Sequence, residues 1–427
     1  MMNLETLLKD YHNHVNERSN DEIPPLPLNA EQTNIVIELL EKVDKSQSDY
    51  LINLLTNRVP PGVDEAAYVK ASWLTAIANG EKFCDFVTPV KAIELLGTMI
   101  GGYNVNSLVE ILKKEDKVTS QEAANVLKKI ILVYDAANDI FELSKNNQYA
   151  EQVIDSWAQA EWFTNKKSLP EEIKCLVFKV KGETNTDDLS PAVHATSRPD
   201  IPLHALSMLE FKEETGLDIL QNLKSQNIQI AYVGDVVGTG SSRKSAINSL
   251  VWHIGEEIPF VPNKKTGGIV IGGKIAPIFF NTAQDSGALP IEADVSNLDT
   301  GDLIKIEPYK GLIKKIDPLS KSEEKISQFD LKPSTITDEI KAGGRINLMI
   351  GRSLTDKIRS KLKLKPSTVF IRPSNPINNN NGFTQAQKIV GKACGLEGVS
   401  PGMTCEPIMT TVGSQDTTGP MTRDELK

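Results

Sequence analysis

The chain has 427 residues, 40% of them hydrophobic and 24% charged, with a formal net charge of −9. This describes an ordinary globular protein long enough for about two to four domains, and the acidic excess argues against general attraction to nucleic acid or anionic membrane. No stretch approaches the roughly 18 to 20 apolar residues of a membrane span, and the start, Met1-Met-Asn-Leu-Glu-Thr, lacks the basic and apolar regions of a secretory signal. The chain therefore reads as cytoplasmic.

Residues 1–165 read as helical, because apolar residues recur at spacings of three and four in Ile35, Ile37, Leu39, Leu40 and again in Val126, Leu127, Ile130, Ile131. Pro60-Pro61-Gly62 followed by Asp64-Glu65 gives a break and then an acidic first turn. Gly101-Gly102 interrupts the next pair of helices, and Thr119-Ser-Gln-Glu122 has the spacing of a capping box. Short stacked helices of this kind suggest an α-solenoid-like module, although the residues show no clean repeat. Residues 166–372 change character. Cys175–Val180, Ile228–Val233, Ile269–Ile271 and Leu303–Ile306 are apolar runs of strand length between Gly/Pro turns, with helical stretches among them, and predict a mixed α/β domain. A proline pair and an asparagine run make 373–382 a linker, after which Phe383 to Val390 resumes a helical pattern. The remaining residues, 383–427, are too few for an independent domain and read as the beginning of one cut short.

The four cysteines, Cys84, Cys175, Cys394 and Cys405, include no Cys-x-x-Cys step and predict buried thiols. Cys394 and Cys405 lie eleven apart, a spacing with no specific metal meaning, and no metal site is expected within the chain.

Four polar stretches carry candidate chemistry. Gly238-Thr-Gly-Ser-Ser-Arg-Lys244 follows the apolar run at 228–233 and precedes a helical stretch, Ser245 to Ile254. That order places a glycine-loosened loop at a helix start, where free backbone N–H groups and the helix dipole attract anions. Ser241, Ser242 and Arg243 add two hydroxyls and a bidentate cation suited to a carboxylate or phosphate. A glycine turn with a capping serine is the alternative. A dinucleotide fingerprint is excluded, since Arg243 stands where its third glycine is needed, and no Gly-Lys-Ser/Thr ending exists for a P-loop. Lys181 to Pro191, containing Asp187, is dense in Asn, Asp and Thr and reads on its own as a loop of Asx-type turns. Ser197-Arg198-Pro199 fixes an arginine in extended geometry, with a plain surface arginine as the alternative. Val412-Gly-Ser-Gln-Asp-Thr-Thr-Gly419 is a glycine-flanked polar turn.

Together these stretches resemble the aconitases, specifically the bacterial B type. Asn57-Arg-Val-Pro-Pro-Gly-Val-Asp64, Glu94-Leu-Leu-Gly-Thr-Met99, Ile275-Ala-Pro-Ile-Phe-Phe-Asn281 and Gly413 to Leu426 extend the resemblance over essentially the whole chain. It implies a multidomain fold: a HEAT-like helical repeat domain, a mixed α/β swivel domain, and the truncated start of an α/β catalytic domain.

The resemblance further implies interconversion of citrate and isocitrate through cis-aconitate, with 2-methylisocitrate as a further possible substrate. Ser241 matches the serine whose alkoxide takes the proton next to a carboxylate. Ser242, Arg243 and Arg198 match residues holding substrate carboxylates, and Gln415, Asp416 and Thr417 match a substrate-contacting turn. Asp187 matches a loop bordering the same cleft. The family uses a 4Fe–4S cluster held by three thiolates, two of them in a Cys-x-x-Cys step that this chain lacks. The chain should then carry the base without the Lewis acid, and be inactive alone.

Other readings are a noncatalytic binding module whose helical domain takes protein partners or forms a homodimer, a cluster-free form binding messenger RNA, and a small subunit like that of two-chain isopropylmalate isomerases. The acidic balance gives RNA binding no independent support. The helical extension and the residues beyond Gly382 argue against the small subunit.

Overall fold

A computed structural model describes residues 4–42, 45–213, 215–373, 376, 382–403 and 405–411. The first part is helical: α1 (Leu4–Ser19), α2 (Ala30–Leu40), α3 (Lys45–Asn57), α4 (Glu65–Ala78), α5 (Pro89–Leu96), α6 (Tyr103–Lys113), α7 (Thr119–Leu127), α8 (Ala136–Leu143), α9 (Gln148–Ala158) and α10 (Glu161–Thr164). Its helix starts follow from local chemistry. The Asp64 carboxylate accepts the Ala66 N–H at 2.8 Å, Thr88 caps α5 ahead of Pro89, and Asn29 and Gln32 form a reciprocal capping box. The box expected at Thr119 does not form. Thr119 already lies inside α7, and the Asp116 carboxylate takes the Val118 and Thr119 N–H groups instead, at 3.0 and 2.6 Å. A carboxylate is the stronger acceptor for orphan amides at the positive end of a helix, and it wins.

Among the described residues the second part is built on nine strands: β1 (Ile173–Asn185), β2 (Ile230–Thr239), β3 (Glu256–Glu257), β4 (Lys265–Thr266), β5 (Ile269–Ile275), β6 (Leu289–Glu292), β7 (Leu303–Glu307), β8 (Leu312–Ile316) and β9 (Glu323–Gln328). Seven form one sheet in the order β6-β5-β2-β1-β7-β8-β9, and β3 and β4 form a separate pair. The β6 to β1 half is parallel and the β7 to β9 half antiparallel. Strand periodicity explains the two cores. Leu176, Phe178, Ile230 and Tyr232 project into one cluster, while Cys175, Val177, Ala231 and Val233 project into the other. With both faces covered, β1 and β2 read as nearly unbroken apolar runs.

The helices of this part are α11 (Thr186–Leu189), α12 (Ile201–Ala205), α13 (Gly216–Lys224), α14 (Arg243–Ile254), α15 (Pro277–Asp285), α16 (Ile336–Ala342) and α17 (Arg345–Lys361), followed by α18 (Gln385–Ala393). Helix α17 packs across the boundary. Its Leu354 and Ile358 belong to the same buried cluster as the helical part, and Trp162 donates to Thr355 Oγ1 at 3.0 Å. At the other end, Arg18 of α1 makes a bidentate pair with Asp200 at 2.9 and 2.6 Å, both side chains buried.

Candidate active site

Strand β2 runs farther than its apolar core suggests, because pairing with β1 continues as far as Asn185 opposite Thr239. The ladder thus delivers Gly238-Thr239-Gly240 to the start of α14, whose first residue is Arg243 rather than Ser245. Gly238 has φ +80° and lies against Phe279 of α15. A Cβ on Gly240 would lie 2.6 Å from Thr186 Oγ1, so the loop after β1 and the loop after β2 touch here. Ser242 occupies the N-cap position without making a side-chain cap bond, which removes the capping-serine alternative and leaves the first turn of α14 open. Ser241 is exposed, and Arg243 Nη1 donates to its carbonyl at 3.3 Å.

Ser241, Ser242 and Arg243 line one cleft of about 1100 Å³ between the helical part and the α/β part. Five lysines share its wall with Arg243: Lys129, Lys166, Lys244, Lys264 and Lys265. Among the described residues that wall holds one carboxylate, Asp285, which is paired with Arg345 at 2.8 Å. Lys166 donates to the Ala342 carbonyl at 2.7 Å, and burial lowers its pKa; Lys265 sits 4.6 Å from the Trp252 ring centroid. Among the described residues the wall carries more cations than acids, even with Lys265 paired to Glu257 at 3.9 Å, which makes the cleft attractive to anions. A second cleft, about 1210 Å³, adjoins it through Lys244, Asn248, Val261 and Lys264.

Asp187 and Arg198, the other described sequence candidates, are not among the residues lining this cleft. Asn185 and Asp188 form a capping box for α11, and the Asp187 carboxylate accepts the Ala192 N–H at 2.8 Å, so these groups shape the turn. The Arg198 carbonyl accepts from His204 Nδ1 at 3.2 Å, and His204 Nε2 meets Ser190 Oγ at 2.8 Å, which assigns the ring its Nδ1–H tautomer. The Arg198 side chain is half-buried, and α12 just beyond it packs on α14. Gln415, Asp416 and Thr417 lie outside the described residues. The cleft lysines went unnoticed in the sequence because they come from distant segments. Only Lys244, next to Arg243, carried a local signal.

Two family profiles match the chain, "Aconitate B N-terminal domain" over residues 10–163 and "Aconitate hydratase 2 N-terminus" over residues 175–383. The chain belongs to the aconitate hydratase B family. Aconitate hydratase B of Synechocystis is 61% identical over 421 residues, covering 99% of this chain and 48% of the relative. The Escherichia coli protein of the same name is 53% identical over 433 residues, covering 99% and 49%. The chain thus spans about half the length of the curated relatives it matches. A solved 3-isopropylmalate dehydratase from Methanocaldococcus jannaschii matches at 21% identity and TM-score 0.31, over 45% of this chain and 99% of that one, a likeness too weak to add to the assignment.

Proposed function

We propose that this chain supplies the proton-transfer serine and part of the polycarboxylate site of an aconitate hydratase, acting on citrate and isocitrate through cis-aconitate. The observation that carries the reading is the open start of α14, with Ser241, Ser242 and Arg243 in a cleft of cations. Ser241 takes the proton from the carbon beside a substrate carboxylate and returns it on rehydration. A serine hydroxyl is a poor base, and the N–H groups and positive end of α14 favour its ionised form. Ser242 and Arg243 hold one carboxylate, the Arg198 guanidinium a second, and Gln415, Asp416 and Thr417 complete the contacts. A tricarboxylate needs several cations, and charge-assisted bonds to arginine orient it.

In this reading residues 1–165 are the HEAT-like domain, 166–372 the swivel domain, 373–382 a linker, and 383–427 the start of the cluster-bearing core. The activity implies a 4Fe–4S cluster acting as Lewis acid on the departing hydroxyl. The described residues do not fit it. Among them no group of three His, Cys, Asp or Glu side chains is placed to hold a metal, and Cys84 and Cys175 are buried in different cores. The chain is expected to be inactive unless the rest of the enzyme is supplied.

The test is co-expression with the C-terminal half of the Synechocystis relative, followed by iron and sulfide reconstitution and an assay of cis-aconitate hydration. Turnover should appear, and Ser241→Ala should lower kcat by about 10²- to 10⁴-fold with little change in citrate affinity. Near-normal turnover in that variant would refute the base assignment.

A further inference from the structure

Ser241 follows Gly240, whose backbone is the freest of any residue type and stands at φ +104°. On one side the chain is fixed at Ser242, whose carbonyl accepts the Ala246 N–H at 3.0 Å as α14 begins. On the other side the fixed point is Thr239. Its hydroxyl donates to Glu183 Oε1 at 2.6 Å, a bond from the last residue of β2 to a residue near the end of β1. Two bulges bring these residues together. Between Val180 and Glu183 β1 carries one residue more than β2, and between Thr184 and Asn185 β2 carries one more, Gly238. Strand alternation then sets Glu183 on the same face as Asn185, the residue opposite Thr239. The first bulge is itself tied down. The Gly182 N–H donates to Asp235 Oδ2 at 2.7 Å, and Lys212 Nζ donates to the Glu183 carbonyl at 2.8 Å.

We propose that Glu183 is a positioning residue for the proton transfer assigned to Ser241: its carboxylate holds the Thr239 hydroxyl and so sets how Gly240 presents the serine to the cleft. The inference rests on that assignment. A carboxylate acceptor makes the bond charge-assisted, the stronger kind of hydrogen bond. It acts two residues before Ser241, with only a glycine between, so its loss lets the serine oxygen wander. A displaced reacting group costs rate. Substrate affinity stands elsewhere. Ser242 and Arg243 are held by the first turn of α14 and its backbone hydrogen bonds, so loosening Thr239 should fall on kcat rather than on KM. Glu183 is exposed, and its replacement removes no core packing.

The test places Glu183→Ala, Glu183→Gln, Thr239→Val and the Glu183→Ala/Thr239→Val pair in the 427-residue chain. Each is co-expressed with the C-terminal half of the Synechocystis relative and assayed as above, with Ser241→Ala as the reference. Glu183→Ala and Thr239→Val should each lower kcat about 10- to 100-fold while citrate KM stays within about twofold. The double variant should fall no further than either single one, since both remove the same bond. Glu183→Gln should return most of the rate, because its amide oxygen still accepts the hydroxyl. An unchanged kcat in Glu183→Ala, losses that multiply in the double variant, or a Gln variant as slow as Ala would each overturn the proposal. Turnover kept by Ser241→Ala would refute the base assignment instead. The tether has a measurement of its own that needs no turnover: backbone amide relaxation in the 427-residue chain alone. Order parameters at Gly240 and Ser241 should drop in Glu183→Ala and recover in Glu183→Gln. Values unmoved by Glu183→Ala would overturn the tether whatever the assay shows.

Discussion

Gly238→Ala should damage the loop before α14 through two additive effects. The backbone there has φ +80°, a left-handed conformation that costs an L side chain about 1–2 kcal/mol. The new Cβ would also overlap Phe279 Cγ and lie 2.5 Å from Phe279 Cβ. Phe279 is fully buried and has nowhere to retreat, so crowding adds about 1–3 kcal/mol. The total is about 2–5 kcal/mol. Gly182→Ala separates the terms, since Gly182 has φ +75° with nothing within 4 Å of a Cβ and should show the backbone penalty alone. Urea denaturation with hydrogen exchange read at the β2 amides reports this sheet apart from the helical part. If the two variants fall within about 0.5 kcal/mol of each other, the typical limit of additivity between separate sites, the packing argument is wrong.

Arg18→Met leaves the Asp200 carboxylate buried without its partner and should cost about 3–5 kcal/mol; adding Asp200→Asn should recover part of that in a double-mutant cycle. Burial, reinforced by the Lys224 ammonium, holds His253 down at about 3, against 6.5 when unfolded. Between those values the unfolded chain binds a proton that the folded chain refuses, so stability falls as pH drops from about 6.5 towards 3. The slope should approach about 1.4 kcal/mol per pH unit, and His253→Gln should flatten it in urea titrations run across that window. Charge reversal at Lys129 or Lys244 should weaken citrate binding several-fold at low salt and much less at high salt, measured by calorimetry; salt-independent losses would mean the cleft does not act through its field.

Local chemistry was legible in the sequence where it was self-contained. Asp64 and Gly101-Gly102 bound helices because a cap and a turn need only their neighbours. Thr119 misled because the spacing of a capping box says nothing of a better acceptor three residues upstream, and Asp116 is that acceptor. The run at 228–233 marked β2 but not its reach to Thr239, since that extension comes from pairing with β1, a partner some fifty residues away. The same holds for the site. The loop at 238–243 announced an anion, while the cleft that gives it a field is assembled from segments between Gly97 and Asn347 and leaves no pattern along the chain. Arg198 was visible as a cation beside a proline. Its neighbour Asp200, whose partner Arg18 lies 182 residues away, was not.

Two of the attachments of the sheet to the helices, which also include an Arg58–Asn263 hydrogen bond at 2.9 Å, have a mechanical corollary. Arg18 grips Asp200 at one point, and α17 lies in the helical core at another, with Gly351 so close to Trp162 that a Cβ there would fall 2.6 Å from the indole Cε2. A door hung on two separated hinges turns about a single line, but a panel bolted at two corners does not turn at all. A rotation of the sheet against the helices would have to break the Arg18–Asp200 pair or draw Leu354 and Ile358 out of the helical core, so the two parts turn together.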